Sequence, residues 1–365
     1  MSSFGKIFKI TTFGESHSDS VGVTIENCPP NFCIFDKDIQ YHLDRRRPGQ
    51  TVYSTDRKED DKLTILCGLE DNKTLGTPIT AIVKNTNIKP QDYKFSIDNY
   101  IPRPSHADFT YLQKYKIHAK SGGGRSSARE TIGRVIGGAV ALKWLKQYHN
   151  IEIIAWVSSV GPINYSIPNY LQKIIDRTIV DTSPIRCPDI TTSKIMGDYI
   201  LDLKNKGNST GGTITCICRN VPTGLGEPCF DKLEAQLSHA MLSIPSTKAF
   251  EIGSGFEGTK LTGYEHNDLF DFDGSKLFTQ TNNSGGVQGG ISNGSDIIFK
   301  VGFKPPATIS LPQKTANLQG NKVILEATGR HDPCVVNRAV CIVESMAALV
   351  IIDNLLIQKT RNAFI

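Results

Sequence analysis

From Ile132 to Leu145 the chain is apolar on nearly every side of a 3.6-residue period, broken mainly by Gly133, Gly137 and Gly138. A helix that is apolar all round must be buried all round. The three glycines let neighbouring backbone approach it without a Cβ in the way. Any fold must therefore carry this helix inside the molecule, with its N-terminus opening at the mouth of the core. Strand-like stretches lie on both sides of it but do not alternate strictly with helices. That order points to an α+β fold rather than a doubly wound sheet.

The approach to this helix is equally constrained. Gly122, Gly123 and Gly124 precede Arg125-Ser126-Ser127, and Ser127-Ala128-Arg129-Glu130 has the spacing of a capping box. Helix N-termini offer unpaired N–H groups and partial positive charge, which suit phosphate or carboxylate. Arg125 and Arg129 would add forked donors for the same anions. A flexible Gly/Ser loop before a helix reads equally well from these residues. A Walker A loop is excluded, because no Gly-Lys-Ser/Thr follows the glycines. Just upstream, Arg103-Pro104-Ser105-His106-Ala107-Asp108 holds a titratable ring between prolines and an aspartate.

The 365 residues allow one large domain or two. Net charge is only +5. The arginines are placed beside glycine and histidine, or run together as Arg45-Arg46-Arg47, rather than spread along a face. This favours a compact polyanionic ligand over nucleic acid. Nine cysteines without a Cys-x-x-Cys pair suggest free thiols and a reducing compartment. Cys216 and Cys218 fall on one face of a strand-like run and read as buried thiols. The N-terminal residues show no apolar signal segment, and no window approaches ~18 consecutive apolar residues, so no membrane span is expected.

Other landmarks are read in order. Lys6 to Thr12 alternates as a strand and runs into Gly14-Glu15-Ser16-His17, where a loop histidine carries chemistry or a surface role. Asp36 to Arg45 reads as a helix capped by Asp36 and stopped by Pro48-Gly49. Arg57-Lys58-Glu59-Asp60 reads as a solvated charge cluster. Asn85 to Tyr100 has no apolar period and is a surface excursion or a lid. Ile167 to Thr178, Thr192 to Lys206 and Phe230 to Met241 read as helices; Leu63 to Leu66, Ile79 to Val83, Ile151 to Val160, Thr213 to Arg219 and Ile297 to Phe303 as strands. A second glycine cluster spans Thr281 to Gly290. Gly329-Arg330-His331-Asp332-Pro333-Cys334 precedes a long helix, Arg338 to Gln358.

In this order the motifs GESH at Gly14, DRRRPGQ at Asp44, RPSHADFTY at Arg103, GGGRSSARET at Gly122, SIPSTK at Ser243, GGVQGGISNG at Gly285, KPPATI at Lys304 and GRHDPC at Gly329 resemble chorismate synthase over nearly the whole chain. The resemblance implies a single domain, residues 1–365, built as a β-α-β sandwich with a buried helical core between antiparallel sheets. It implies a cytoplasmic homotetramer and a lyase that converts 5-enolpyruvylshikimate 3-phosphate to chorismate and phosphate by 1,4-anti elimination. It implies reduced FMN as cofactor, with NADPH as candidate reductant; no flavin-reductase domain is visible. His17 then stands as the acid near the leaving phosphate, His106 as proton donor to the reduced flavin, and Asp332 as an aid to deprotonating its N5. Arg46, Arg103 and Arg129 fall to the substrate's anions. Arg125, Ser126, Ser127, Pro245, Ser246, Gly289, Lys304, Pro305, Pro306, Ala307 and Thr308 fall to the flavin, and Arg330 faces both sets. Ser18 and Val52 depart from the usual glycine and arginine at those positions; Arg47 or Arg57 would replace the missing charge.

Overall fold

The structure is a computed structural model that describes residues 1–55, 59–86, 100–119, 121–166, 174–327 and 331–362. The apolar segment is helix α3, Thr131–His149, with thirteen of its side chains or glycines buried. Its glycines do what the sequence requires of them. A Cβ on Gly133 would lie 2.8 Å from Thr12 Cγ2 and 2.9 Å from the Gly22 carbonyl, and one on Gly138 would overlap Ser345.

Two five-stranded sheets enclose the helices. The first contains β1 (Ser3–Phe4), β2 (Lys9–Gly14), β3 (Ser20–Glu26), β4 (Leu63–Cys67) and β5 (Ile79–Lys84), in the order β1-β2-β3-β5-β4. The second contains β6 (Glu152–Val160), β7 (Ile163–Asn164), β8 (Gly212–Arg219), β9 (Thr247–Ile252) and β10 (Ile297–Phe303), in the order β9-β10-β8-β6-β7. Every pairing within them is antiparallel. Helix α3 packs on β2 and β3, while the last helix packs on β6 and β8; the two helices pack on each other and on α1 (Asp36–Arg46). The helical layer therefore lies between two antiparallel sheets, the α+β sandwich expected. Between α1 and α3 runs the short helix α2 (Asp108–Tyr115), which the polar sequence had concealed.

Further helices include α4 (Arg177–Thr182), α5 (Ile190–Asn205), α6 (Leu233–Leu242) and α7 (Val336–Asn362). Helix α7 is long and apolar enough to cross a bilayer by length and composition, yet 89% of its apolar window is buried inside the protein. The expected helix Ile167 to Thr178 falls partly outside the described residues; its described end becomes the N-cap of α4, where Asp176 accepts from the Ile179 N–H. At α1 the expected cap is shifted. Phe35 holds the cap position and Asp38 reaches back to its N–H at 2.8 Å. All nine cysteines are free, and Cys216 and Cys218 are fully buried.

Candidate active site

The glycine turn at residues 121–126 is a 3₁₀ segment, not an open loop. Gly123 and Gly124 both have positive φ, +88° and +54°, which favours glycine there. Two other segments close on this turn. A Cβ on Gly123 would lie 3.4 Å from His106 Cε1 and 3.8 Å from its Nε2. A Cβ on Gly124 would lie 4.0 Å from the carboxyl carbon of Glu15, two residues before His17. Arg125 fastens the turn to the end of β2, donating to the Gly14 carbonyl at 3.0 Å and to Thr12 Oγ1 at 2.7 Å.

The start of α3 differs from the expected capping box. The Ser127 hydroxyl does accept from the Arg129 N–H, at 3.3 Å. Glu130 does not return to the Ser127 N–H; its carboxylate takes the Thr12 hydroxyl at 2.8 Å and Arg134 at 3.0 Å. Tying the helix to β2 replaces the reciprocal cap.

His17 sits in a tight turn. Its Nδ1 is 3.0 Å from the Ser16 hydroxyl. Ser18, where glycine is usual, closes that turn by accepting from the Glu15 N–H and donating to the Ser20 carbonyl, each at 2.9 Å. Asn85 braces it from β5, donating to the Glu15 and Ser18 carbonyls at 2.9 and 2.5 Å.

His106 belongs to a second cluster. Its Nδ1 lies 2.7 Å from Asp108 Oδ1. Arg103 donates to both oxygens of the same carboxylate, from Nε at 2.8 Å and from a terminal nitrogen at 2.9 Å, and reaches Thr308 Oγ1 at 3.3 Å. Burial alone would raise the Asp108 carboxyl, but the hydrogen bonds and charges of Arg103 and His106 hold it well below the usual range. The loop Lys304 to Thr308 is thereby joined to His106 on one side. On the other, the Lys304 N–H donates to the Ser246 carbonyl at 2.9 Å. Burial, with Lys248 nearby, lowers the Lys304 ammonium from its ordinary value.

Arg46 and Arg129 share a buried carboxylate, Asp61, at 2.8 and 2.9 Å. Arg129 also meets Glu59 at 2.6 Å and the side chain of Asn85. Of the cluster expected to be solvated, Asp60 is exposed but Glu59 is not: Glu59 and the nearby Asp61 are 5% and 2% exposed and neutralise two arginines. Arg57 and Lys58 lie outside the described residues. Burial, with positive charge from Arg338 and Arg129, brings the Arg46 guanidinium down to about 10 despite Asp61. Arg46, Pro245, Ser246 and Arg338 line one small cleft of about 50 Å³. Arg338 in turn pairs with Asp332, whose other oxygen accepts from the Thr55 N–H at 3.0 Å.

His106, Arg103, Thr308 and, through Lys304, Ser246 are therefore linked by contacts, and the loops of His106 and His17 each come up to the Gly123–Gly124 turn that Arg125 and Ser126 hold. Gly289 is not part of this set. The Leu233 N–H, at the start of α6, donates to the neighbouring Gly290 carbonyl, whereas Pro245 and Ser246 follow the end of α6. Arg330 and most of the stretch read as a surface excursion or a lid, residues 87–99, lie outside the described residues. Arg47 is turned outward, its side chain 43% exposed beside Asp44, and Val52 is exposed. Asp61, Asn85, Asp108 and Arg338 were not singled out for roles in the sequence. Of these only Asp108, inside the histidine motif, carried a local signal.

Comparison with known proteins covers the same ground. A model of the chorismate synthase family matches residues 8–356. The chain is 54% identical to the chorismate synthase of Schizosaccharomyces pombe over 100% of its own length and 98% of that protein. It is likewise 54% identical to that of Saccharomyces cerevisiae, over 99% and 98%. A crystal structure of chorismate synthase superposes with a TM-score of 0.75 at 27% identity, covering 97% of this chain and 93% of that one. With motifs, layered fold and full-length similarity in agreement, this chain belongs to the chorismate synthase family, lyases of the shikimate pathway to the aromatic amino acids.

Proposed function

We propose that this lyase converts 5-enolpyruvylshikimate 3-phosphate to chorismate and phosphate in the cleft around the Gly123 turn, with His17, His106 and Asp332 handling protons. The reading is supported above all by the meeting of two loops on one turn, His106 against Gly123 and the His17 loop against Gly124. The reaction breaks a C–O bond to phosphate and removes a proton four atoms along the 1,4 system. Phosphate gains charge as it leaves, and a protonated imidazole beside it lowers that barrier. His17, oriented through Ser16, takes this part. His106 presents its Nε2 edge on the other side of the turn.

The donor set fits a flavin phosphate and ring. Gly123 leaves beside His106 a space that a Cβ would occupy. Glu15 Oε2, buried against Gly124 without a hydrogen-bond partner, suits a ligand that carries an N–H. Arg125, Ser126, Ser127, Pro245, Ser246 and Lys304 to Thr308 would hold FMN, together with Arg330. Reduced FMN, when bound, supplies an electron-rich ring with a basic nitrogen beside the substrate, and NADPH is the reductant proposed for it. Arg46 and Arg103 bind the substrate's anions. Arg129, buried and neutralised by Glu59 and Asp61, instead braces Asn85, and Asn85 braces the His17 turn. Asp332, held by Arg338 and the Thr55 N–H, is read as the group that assists the flavin nitrogen; its partner Arg338 lines the small cleft with Arg46.

Residues 1–365 act as one catalytic unit. Exposed Phe256, Tyr264, Phe270, Phe272 and Leu277 support association, read as a homotetramer. Nine free thiols support a reducing, cytoplasmic setting. The test is anaerobic: protein with reduced FMN releases chorismate and phosphate from the substrate. His17→Ala and His106→Ala each lower turnover by about 10²–10³, the usual loss for an acid–base group. Full turnover in both variants would remove these roles.

A further inference from the structure

We infer that Asp108 is the positioning residue of this site: one carboxylate holds the His106 imidazole by Nδ1 and the Arg103 guanidinium beside it, so that Nε2 is fixed toward the Gly123 turn. The inference rests on the reading of His106 as a proton donor. Asp108 opens α2, where a negative charge at a helix N-terminus is favoured. Its side chain is only 6% exposed. Its oxygens accept the Arg103 backbone N–H at 3.1 Å, Arg103 Nε at 2.8 Å and an Arg103 terminal nitrogen at 2.9 Å, and lie 2.7 Å from His106 Nδ1. Three fixed N–H donors leave the carboxylate no proton of its own, so the hydrogen in the His106 contact must sit on Nδ1.

A second contact agrees with this. An Arg103 terminal nitrogen lies 3.2 Å from the same Nδ1. An N–H cannot donate to another N–H, so with Nδ1 protonated this is a neighbour and not a hydrogen bond. Arg103 then has a separate job. By keeping Asp108 ionised it prevents the carboxylate from taking the imidazole's proton. Proton traffic is confined to Nε2, the edge 3.8 Å from where a Gly123 Cβ would stand. The charged groups within hydrogen-bond distance of the ring, among the described residues, are Asp108 and Arg103. Arg103 also reaches Thr308, so the carboxylate that sets the tautomer also holds the 304–308 loop in register with it.

The test is ¹⁵N NMR of the full, flavin-free chain labelled at histidine, with His106 assigned by the signal lost in His106→Gln. Neutral His106 in the unaltered protein is expected as the Nδ1–H tautomer. In Asp108→Asn the side-chain amide can turn either atom toward the ring, and the Nε2–H form is expected to rise at least several-fold. Asp108→Glu, which keeps the charge, is expected to restore most of the Nδ1–H form. In turnover, Asp108→Asn lowers kcat toward the ~10²-fold loss of a proton-transfer group, with partial recovery in Asp108→Glu. An Nε2–H tautomer in the unaltered protein overturns the proposal, even if the asparagine variant fails to fold. So does an unchanged tautomer in a folded Asp108→Asn. Full turnover of His106→Ala beside an Nδ1–H tautomer would instead sink the donor role of His106 and leave the positioning geometry standing.

Discussion

Arg45 and Arg46 are neighbours on the last turn of α1, yet they serve opposite kinds of cluster. Arg45 is sealed in the core: it pairs with Glu344 of α7 and with Asp181, and Arg177 approaches the same glutamate at 3.6 Å. Glu344 is completely buried and also accepts the Ala155 N–H of β6 at 3.1 Å. Arg46 belongs to the cleft, where its partners lead through Asp61 and Arg129 to the His17 turn. The third cluster, Arg103–Asp108–His106, lies against the Gly123 turn, with the histidine side chain 23% exposed. Salt bridges of one chemistry therefore do two things here. Where every partner is buried they lock helices between sheets; on the function proposed above, where an imidazole is left partly exposed they prepare a reaction.

The largest expected effect lies in the sealed cluster. Glu344→Gln leaves Arg45 and Arg177 short of a buried anion, which costs about 3–5 kcal/mol. Urea unfolding measures it, and a loss below about 1 kcal/mol would erase the contrast with the cleft. The pH dependence has a definite sign. Burial would raise the Glu344 carboxyl, but Arg45 and Arg177 bring it down to about 2. A lowered carboxyl stabilises the fold above its unfolded value, and that contribution disappears as pH falls from about 4 toward 2. In Glu344→Gln this part of the acid transition should flatten. The neighbouring His42, forced down to about 3 by burial and by Arg177 and Arg45, stays neutral in the fold while the unfolded chain takes up its proton, so it adds its own loss of stability as pH falls from about 6.5 toward 3.

A smaller effect probes the helix contact that brings both kinds of cluster into register. Gly138→Ala places a Cβ against the backbone and side chain of Ser345. Overpacking of this kind costs roughly 1–3 kcal/mol, offset by up to about 1 kcal/mol of better helix propensity. Adding Ser345→Gly removes the side-chain part of the clash, so the double variant should recover some of the lost stability. Strict additivity of the two changes would mean that α3 and α7 do not meet there.

The fold was legible where burial leaves a period in the chain. The all-apolar α3 announced a helix between two layers, and β10 was read at its true bounds, Ile297–Phe303. What escaped was whatever depends on partners distant in sequence. Glu59 and Asp61 are polar residues in a charged run; Arg129, 68 to 70 positions on and just before α3, makes them core together with Arg46, which also takes Asp61. Glu130 had the right spacing for a cap, but Thr12 and Arg134 compete for it. His17 and His106 were visible as motifs; that their loops share one glycine turn was not, because sequence spacing carries no information on which loops meet.

The smallest effect tests whether burial, rather than charge pairing itself, separates the clusters. Asp202 and Lys206 form an i,i+4 pair at 2.7 Å near the end of α5, with side chains 52% and 65% exposed. Geometrically it is as good as Arg46–Asp61. In water the Coulomb gain is screened, and holding two long side chains costs rotamer freedom, so exposed helical pairs contribute about 0.3–0.5 kcal/mol. Asp202→Asn should therefore shift the unfolding midpoint barely beyond error and leave turnover unchanged. A loss above about 1 kcal/mol would mean that ion pairing stabilises this protein irrespective of solvent, and the sealed Glu344 cluster would lose its special standing.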